Sequence, residues 1–145
     1  LVHGQVLAAW VNQISAQRII VVDDDAANDE MRSAALKLAK PAGIRLNIFT
    51  TEKAIAKMPK ILELKENIMM VFGTTRALVD VCSATGAITE VQYGATFNKE
   101  GSKQIDQSVF LDDSEINDTR ELLGMGIKLY SQQTPSFPKG PITSV

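Results

Sequence analysis

The sequence predicts an α/β protein with a doubly wound, mainly parallel sheet that carries helices on both faces. Short apolar, β-branched runs such as residues 18–22 are typical of strands that are buried on both faces. Stretches with helical spacing or with helix-capping residues lie between these runs. This alternation of strand and helix is the pattern of repeated β-α units, which form parallel sheets covered by helices.

The individual elements follow from spacing and capping. Residues 6–14 are predicted to form the first helix, because their apolar positions recur every three or four residues. Residues 26–40 are predicted to form a second helix, with acidic residues in the first turn and lysines in the last turns. A third is expected from about Glu52, and Pro59 is expected to bend or end it. The other predicted elements are helices at 76–84 and 112–123 and strands at 18–22, 44–49, 67–72, 89–93, 108–111 and 127–131.

Length and composition bound the class of protein. The chain of 145 residues and 15.8 kDa has the length of one domain, and we expect residues 1–145 to form it. Because the sequence starts directly at a loop, we expect it to be incomplete at its amino end, with a first strand before Leu1. Three prolines fall in the tail, residues 134–141, which is predicted to be a terminal strap or disordered.

Charge and cysteine content exclude several functions. The net charge of −2 gives no general attraction to nucleic acid or anionic lipid. The lone Cys82 lies in an apolar run and is expected to be a core residue. No apolar stretch is long enough for direct insertion into a membrane.

Three polar clusters follow predicted strands. They are Asp23-Asp24-Asp25, Thr50-Thr51 and Gly73-Thr74-Thr75. Parallel strands end at one edge of a sheet, where ligands of such folds bind, so we expect the three clusters to meet there. Hydroxyls and backbone N–H groups at helix starts suit a phosphate. The alternative is that these residues only cap helices.

Other chemistries find less support. An acidic cluster could hold a divalent cation, as in receiver-type phosphorylation domains. A receiver also needs an aspartate after its central strand, and Gly73-Thr74-Thr75 offers none. There is no glycine pattern for a nucleotide, no paired cysteines for zinc and no nucleophile elbow for hydrolysis. We therefore expect no metal and no cofactor.

His3 is the only histidine in the chain, and Gly4 follows it at the start of the first helix. With a reference pKa near 6.5, a neutral imidazole can attack a phosphoryl group and later release it. The phosphate would then need N–H donors, hydroxyls or a cation around it. The alternative is that a lone histidine is a surface or packing residue.

Several stretches together resemble the IIB component of the mannose/fructose/sorbose family of the bacterial sugar phosphotransferase system. They are Leu1-Val2-His3-Gly4-Gln5-Val6, Trp10-Val11, residues 18–30, residues 51–54 and residues 99–105. The resemblance runs in register over nearly the whole chain.

The resemblance implies a phosphoryl-transfer relay. His3 would accept a phosphoryl group through Nδ1 from a phosphohistidine on a IIA protein or domain. It would pass the group to a hexose or amino sugar held by the membrane components IIC and IID. Gly4, Gln5, Asp23 and Asp24 match the family motifs, whereas Thr74 and Thr75 join the expected phosphate loop by geometry alone. The protein would be cytoplasmic and would associate with the inner face of the membrane through IIC and IID.

Two departures bear on this reading. The family has a strand before the histidine that ends near an arginine, and neither is in this sequence. Residues 91–96 also differ from the glycine-rich loop that is common in the family. Two other readings stay open: a IIB-like regulatory phosphoprotein or binding module without transport activity, and a flavodoxin-like small-molecule binder.

Overall fold

The computed structural model describes residues 4–96 and 98–145, so His3 lies outside the described residues. The helices and strands are α1 (Gly4–Ile14), β1 (Arg18–Val22), α2 (Asp24–Ala27), α3 (Glu30–Ala39), β2 (Arg45–Phe49), α4 (Thr51–Glu63), β3 (Ile68–Phe72), α5 (Thr75–Thr85), β4 (Glu90–Tyr93), β5 (Lys103–Asp106), β6 (Val109–Leu111), α6 (Asp113–Gly124), β7 (Lys128–Ser131) and β8 (Gly140–Ile142). The chain divides into two compact units, one up to Val81 and the other from Cys82 to Val145, with the boundary inside α5.

The first unit is built on a three-stranded parallel sheet in the order β2-β1-β3. Val22 pairs with both Phe49 and Phe72, so the three strands end level. Both faces of β1 are covered, because Ile19 and Ile20, on opposite faces, are at most 1% exposed. The predicted α/β class, with a mainly parallel sheet, is confirmed.

The helix α1 packs along β1 and runs antiparallel to it. Leu7 and Val11 share one core cluster with residues of β1. Asn67, which precedes β3, donates its side-chain N–H to the carbonyls of Ile14 and Ser15 at 3.2 Å each. These bonds fix the carboxyl end of α1 at the amino edge of the sheet, so its amino end points toward the carboxyl edge.

Charged residues tie the strands together at the amino edge. The Arg18 guanidinium donates to both carboxylate oxygens of Glu66 at 3.0 Å each, and its Nη1 donates to Oδ1 of Asn47 at 2.6 Å. Arg45 adds a longer bond of 3.5 Å to Glu66. A two-point guanidinium–carboxylate contact is among the stronger and more directional hydrogen-bonded pairs. It therefore links the first residue of β1 to β2 and to the segment before β3.

Replacing Glu66 with glutamine should destabilise the protein in a pH-dependent way. The hydrogen bond from Arg18 holds the pKa of Glu66 below its ordinary value of 4.5. A carboxyl with a lowered folded-state pKa contributes stability above its unfolded-state pKa and loses it as the pH falls through the folded-state pKa. Glu66→Gln should thus lower Tm at pH 7, and the gap to the wild type should narrow below about pH 4.5.

Thermal unfolding followed by circular dichroism from pH 7 to pH 3 checks this, with Glu63→Gln as the matched control. Glu63 is exposed at the end of α4, so its variant should follow the wild type across the range. A Tm gap for Glu66→Gln that stays constant with pH would contradict the ionic account.

The second unit holds the sheet β4-β7-β8 and the hairpin β5–β6. β4 and β7 are parallel, whereas β8 runs antiparallel to β7 and β5 antiparallel to β6. The helix α6 begins with a capping box formed by Asp112 and Glu115. Lys99 Nζ lies 2.8 Å from Oε1 of Glu115 and 3.3 Å from Oδ2 of Asp112. The Lys99 stretch of the family resemblance thus has a structural role, because it anchors its loop to α6.

These contacts shift the pKa values of Asp112 and Lys99. The backbone N–H of Glu115, followed by the Ser114 hydroxyl, lowers the pKa of Asp112 to about 2. The carboxylate of Glu115 raises the pKa of Lys99 above its ordinary value. Asp112 and Lys99 therefore keep their charges throughout the neutral range.

The predicted helix at residues 26–40 is wrong in one respect, because the structure divides it into α2 and α3. Asp29 has extended backbone and accepts hydrogen bonds from the N–H groups of Met31 and Arg32 at 2.9 and 3.2 Å. A side chain that caps the following turn competes with continuation of the preceding helix. Asp29 therefore ends one helix and starts the next.

The sequence leaves two outcomes at Pro59, a bend or an end of the helix, and the structure excludes the end. The helix α4 does not end there but continues to Glu63, with Pro59 inside it. Burial of Met58 and Ile61 on either side of the proline holds this segment against the sheet. Tertiary packing thus outweighs the missing backbone hydrogen bond.

Two strands were not predicted. β5 is polar and lacks the apolar run by which the other strands were identified, yet it pairs with β6 as a hairpin. β8 falls in the proline-rich tail, where Pro141 lies opposite Tyr130 of β7. β8 is an edge strand, and proline is tolerated at an edge because its missing N–H is not needed there. The prediction of an irregular tail at residues 134–141 is therefore wrong at residues 140 and 141, and the last strand is β8 and not the strand at residues 127–131.

Candidate functional site

The candidate site is the carboxyl edge of the β2-β1-β3 sheet. Asp23 follows β1 directly, Thr50 and Thr51 follow β2, and Gly73 and Thr74 follow β3. The backbone ties the three segments together: Asp23 N donates to the carbonyl of Phe49 at 3.0 Å, and Gly73 N donates to the carbonyl of Val22 at 3.1 Å. The three polar clusters therefore meet at one edge, as the sequence predicts.

Asp23 is the N-cap of α2. Its Oδ1 accepts from the N–H of Ala26 at 3.1 Å, and its backbone is extended, as an N-cap requires. Oδ2 points toward Gly73, where a Cβ atom would collide with it and would lie 2.6 Å from Cγ. Asp23 is thus held between its own helix and the turn after β3. This placement supports the structural interpretation of Asp23.

Asp24 joins α2 to α4. Its Oδ1 accepts from the N–H of Thr51 at 2.7 Å, and its Oδ2 lies 3.3 Å from the Thr51 hydroxyl. Thr50 caps the same helix through a 3.1 Å bond from the N–H of Lys53. A negative carboxylate at a helix start is favoured by the free N–H groups and by the helix dipole. Asp24 therefore occupies the anion-binding position of α4.

Thr74 and Thr75 open the helix α5. The hydroxyl of Thr74 accepts from the N–H of Ala77 at 3.1 Å, as a helix cap does. Thr74 is exposed and Thr75, the first residue of α5, is partly exposed. Both lie at the carboxyl edge, in line with the geometric prediction.

Gly4 is the first residue of α1, and Gln5 is exposed in its first turn. Since α1 points its amino end toward the carboxyl edge, Gly4 and Gln5 begin the helix on that side of the sheet. His3 precedes Gly4 in the sequence and lies outside the described residues.

Two cations near this edge were missed by sequence reasoning. Lys53 Nζ lies 5.1 Å from the centroid of the Phe49 ring, at the end of β2. Arg76, in the first turn of α5, pairs with Asp80 at 3.2 Å. Lys53 lies in residues 51–54, one of the stretches that resemble the family, and this resemblance could have indicated it from the sequence. Both are candidates to balance a phosphate dianion.

Gly73 is a further residue whose role the sequence did not show. The sequence places Gly73 in a polar cluster that follows a predicted strand, but its close approach to Asp23 depends on two segments 50 residues apart. Among residues 4–96 and 98–145, no group of three or more His, Cys, Asp or Glu side chains is placed to hold a metal ion. In the same described ranges, no helix combines the length and apolar character that crossing a membrane requires.

The fold and this edge define an α/β protein in which helix starts and hydroxyls gather at the ends of parallel strands. The sequence profile of the PTS system sorbose subfamily IIB component matches residues 1–145. The chain belongs to this family, whose members are the IIB components of sugar phosphotransferase transport systems.

Relatives agree with this assignment. The chain is 33% identical over 138 residues to the sorbose-specific EIIB component of Klebsiella pneumoniae, covering 95% of this chain and 84% of that protein. It is 30% identical over 143 residues to the N-acetylgalactosamine-specific IIB component 1 of Escherichia coli, covering 98% of this chain and 90% of that protein. The crystal structure of the sorbose permease IIB domain from Klebsiella pneumoniae matches with a TM-score of 0.90 at 32% identity, over 99% of this chain and 88% of that chain.

Proposed function

We propose that the protein is a phosphoryl-transfer relay that carries the phosphoryl group on His3. It accepts the group from a phosphorylated IIA protein or domain and donates it to a hexose or amino sugar held by IIC and IID. It works in the cytoplasm, at the inner face of the membrane that carries those components. The observation that carries this proposal is family membership over the whole chain, together with a single histidine, His3, that directly precedes Gly4 in the sequence.

The position of α1 supports the role of His3. The helix that follows His3 has its amino end toward the edge where Asp23, Thr51 and Thr74 gather. Backbone N–H groups at a helix start carry partial positive charge and suit a phosphate. We expect Gly4 and Gln5 to contribute such groups, and Lys53, in the first turn of α4 beside Phe49, is a candidate cation at the same edge of the sheet.

The helices that begin at this edge differ in whether their first N–H groups are already hydrogen-bonded to a carboxylate. The first N–H of α4 already donates to the carboxylate of Asp24, so a phosphate would have to displace that carboxylate to bind there. The Asp23 carboxylate is likewise engaged with α2. We therefore assign Asp23 and Asp24 to the support of the loops and assign phosphate binding to the start of α1, with Thr74 and Thr75 as candidate hydroxyl donors.

The transfer needs no redox step. The lone pair of the neutral His3 Nδ1 attacks phosphorus, and the phosphorus–nitrogen bond to the donor imidazole breaks as its electrons return to that nitrogen. In the second transfer a sugar hydroxyl oxygen attacks phosphorus and releases its proton to solvent water, and the electrons of the breaking phosphorus–nitrogen bond return to His3. An imidazole with a pKa near neutrality suits both steps.

His3→Ala should abolish phosphorylation of the protein. In the test, labelled phosphoenolpyruvate, enzyme I, HPr and a cognate IIA are incubated with the wild type and with the variant. The wild type should acquire an acid-labile, base-stable label. Gln13→Ala is the matched control, since Gln13 is exposed on α1 outside the site, and it should be labelled as the wild type is.

Labelling that survives in His3→Ala would contradict the assignment, because no other histidine in the chain could take its place. Adding membranes that contain IIC and IID with a transported sugar should then discharge the wild type. A label that persists with every such membrane would instead favour the regulatory phosphoprotein.

A further inference from the structure

The helix α3 turns an apolar face to solvent. Met31 is 83% exposed and Leu38 is 88% exposed, although both are large apolar side chains. At 100° per residue, positions seven apart lie within about 20° of each other around a helix, so the two side chains share one face. Ala34 and Ala35, both exposed, lie between them. The outermost stripe of α3 is therefore entirely apolar.

The opposite face of α3 fixes this orientation. Leu36 packs against the core cluster, and the Ser33 hydroxyl donates to the carbonyl of Ala26 at 2.7 Å. Within the described ranges, no residue covers Met31 or Leu38, so packing there does not account for the apolar stripe. Scattered exposed apolar residues are ordinary, but a contiguous stripe along a helix is typical of an interaction surface.

The charges beside the stripe point to its occupant. Glu30 and Lys37 lie on one flank, again seven residues apart, with the acid at the amino end and the base at the carboxyl end. Among residues 4–96 and 98–145, neither takes part in an ion pair. Both line an open groove between α2 and α3, so their side chains have room to reach outward. When two copies of this flank run in opposite directions, each places its Glu30 beside the Lys37 of the other.

We propose that α3 is a self-association surface on which a second copy of the chain packs its own α3 antiparallel. A two-fold axis between Ala34 and Ala35 sets Met31 of each copy against Leu38 of the other. The same axis places the flank with Glu30 and Lys37 beside the same flank of the second copy, which runs in the opposite direction. Along the helix axis, Glu30 of one copy and Lys37 of the second copy are then separated by about 3 Å, which is short enough for an ion pair. The symmetry gives two such pairs.

A parallel arrangement would lose these two ion pairs. Its two-fold axis would run along the helices and would set the flank with Glu30 and Lys37 beside the opposite flank of the second copy, which carries Arg32. The small Ala34 and Ala35 at the centre allow the two helices to approach closely. Because helices of ten residues bury less than the roughly 1,200 Å² of a stable complex, the dimer is weak and forms only at high protein concentration.

Sedimentation velocity over about 10 µM to 1 mM protein, across the micromolar-to-millimolar range of weak complexes, tests this proposal. The wild type should shift from monomer toward dimer. Met31→Gln combined with Leu38→Gln should raise Kd by on the order of tenfold or more, since it removes the apolar contact. Leu62→Gln is the matched control, because Leu62 is 65% exposed on α4, and it should leave Kd unchanged.

Charge reversal tests the antiparallel geometry. Lys37→Glu should raise Kd by roughly three- to tenfold, in keeping with exposed ion pairs, and Glu30→Lys should do the same. The double variant Glu30→Lys/Lys37→Glu should restore wild-type association. A wild type that stays monomeric throughout, association that survives loss of Met31 and Leu38, or a double variant that does not recover would each overturn the proposal.

Discussion

Gly73→Ala should lower the free energy of unfolding by about 2 to 3 kcal/mol, the range expected when a side chain is forced into occupied space. The added Cβ would collide with Oδ2 of Asp23 and lie 2.6 Å from Cγ and 3.1 Å from Cβ of that residue. Moving the carboxylate away breaks its bond to the N–H of Ala26. The cost therefore combines strain with loss of a helix cap, which alone is worth about 1 kcal/mol.

Urea denaturation of the wild type and of two glycine variants measures this effect. Gly94→Ala is the matched control, because Gly94 also follows a strand but has no atom within 4 Å of an added Cβ. Its stability should change by no more than about 0.5 kcal/mol.

A double-mutant cycle locates the cause. Asp23→Gly removes the clashing atoms, and glycine is tolerated as a helix N-cap. Gly73→Ala should cost much less in the Asp23→Gly background than in the wild type. Equal costs in both backgrounds would show that the destabilisation does not come from contact with Asp23.

Ile19→Ala should cost about 3 to 4 kcal/mol, within the range for buried isoleucine truncation. Ile19 is fully buried in β1, the central strand, where it belongs to the cluster that also contains Leu7 and Val11 of α1. Its truncation leaves a cavity between the helix and the sheet that rigid strands cannot fill. Since β1 leads directly into Asp23, the loss also loosens the strand that supports the candidate site.

Ile14→Ala is the control of the same residue type. Ile14 is 40% exposed at the end of α1, so less apolar surface is lost on truncation. Urea denaturation should show a cost for Ile14→Ala well below that for Ile19→Ala. Similar costs for the two variants would contradict the placement of Ile19 at the centre of the core.

The sequence predicted those elements in which local pattern and tertiary packing agree. The strand at 18–22 is an uninterrupted apolar run, and its predicted bounds match β1. The sequence did not predict the strands that depend on pairing alone and have no local apolar pattern. β5 has no apolar pattern and exists because it pairs with β6, while β8 contains Pro141 and exists because it has an edge position beside β7. Neither strand is marked by an apolar pattern of its own, because each is defined by the strand with which it pairs.

The candidate site shows the same division. The approach of the three polar clusters follows from parallel strands that end level, so it could be predicted from strand order along the chain. The hydrogen bond between Asp24 and Thr51 and the close approach of Gly73 to Asp23 could not, since each depends on side-chain directions from two separate segments. The role of His3 rests on the family assignment and the single histidine, and it remains a proposal.

Nuclear magnetic resonance of protein labelled with [15N]histidine tests the central claim most directly. The 145 residues contain one histidine, so they give one imidazole signal set. After incubation with phosphoenolpyruvate, enzyme I, HPr and a cognate IIA, the Nδ1 resonance should shift and show coupling to phosphorus, and both changes should disappear when sugar and membranes with IIC and IID are added. An imidazole that stays unchanged while the protein takes up phosphate elsewhere would contradict the account.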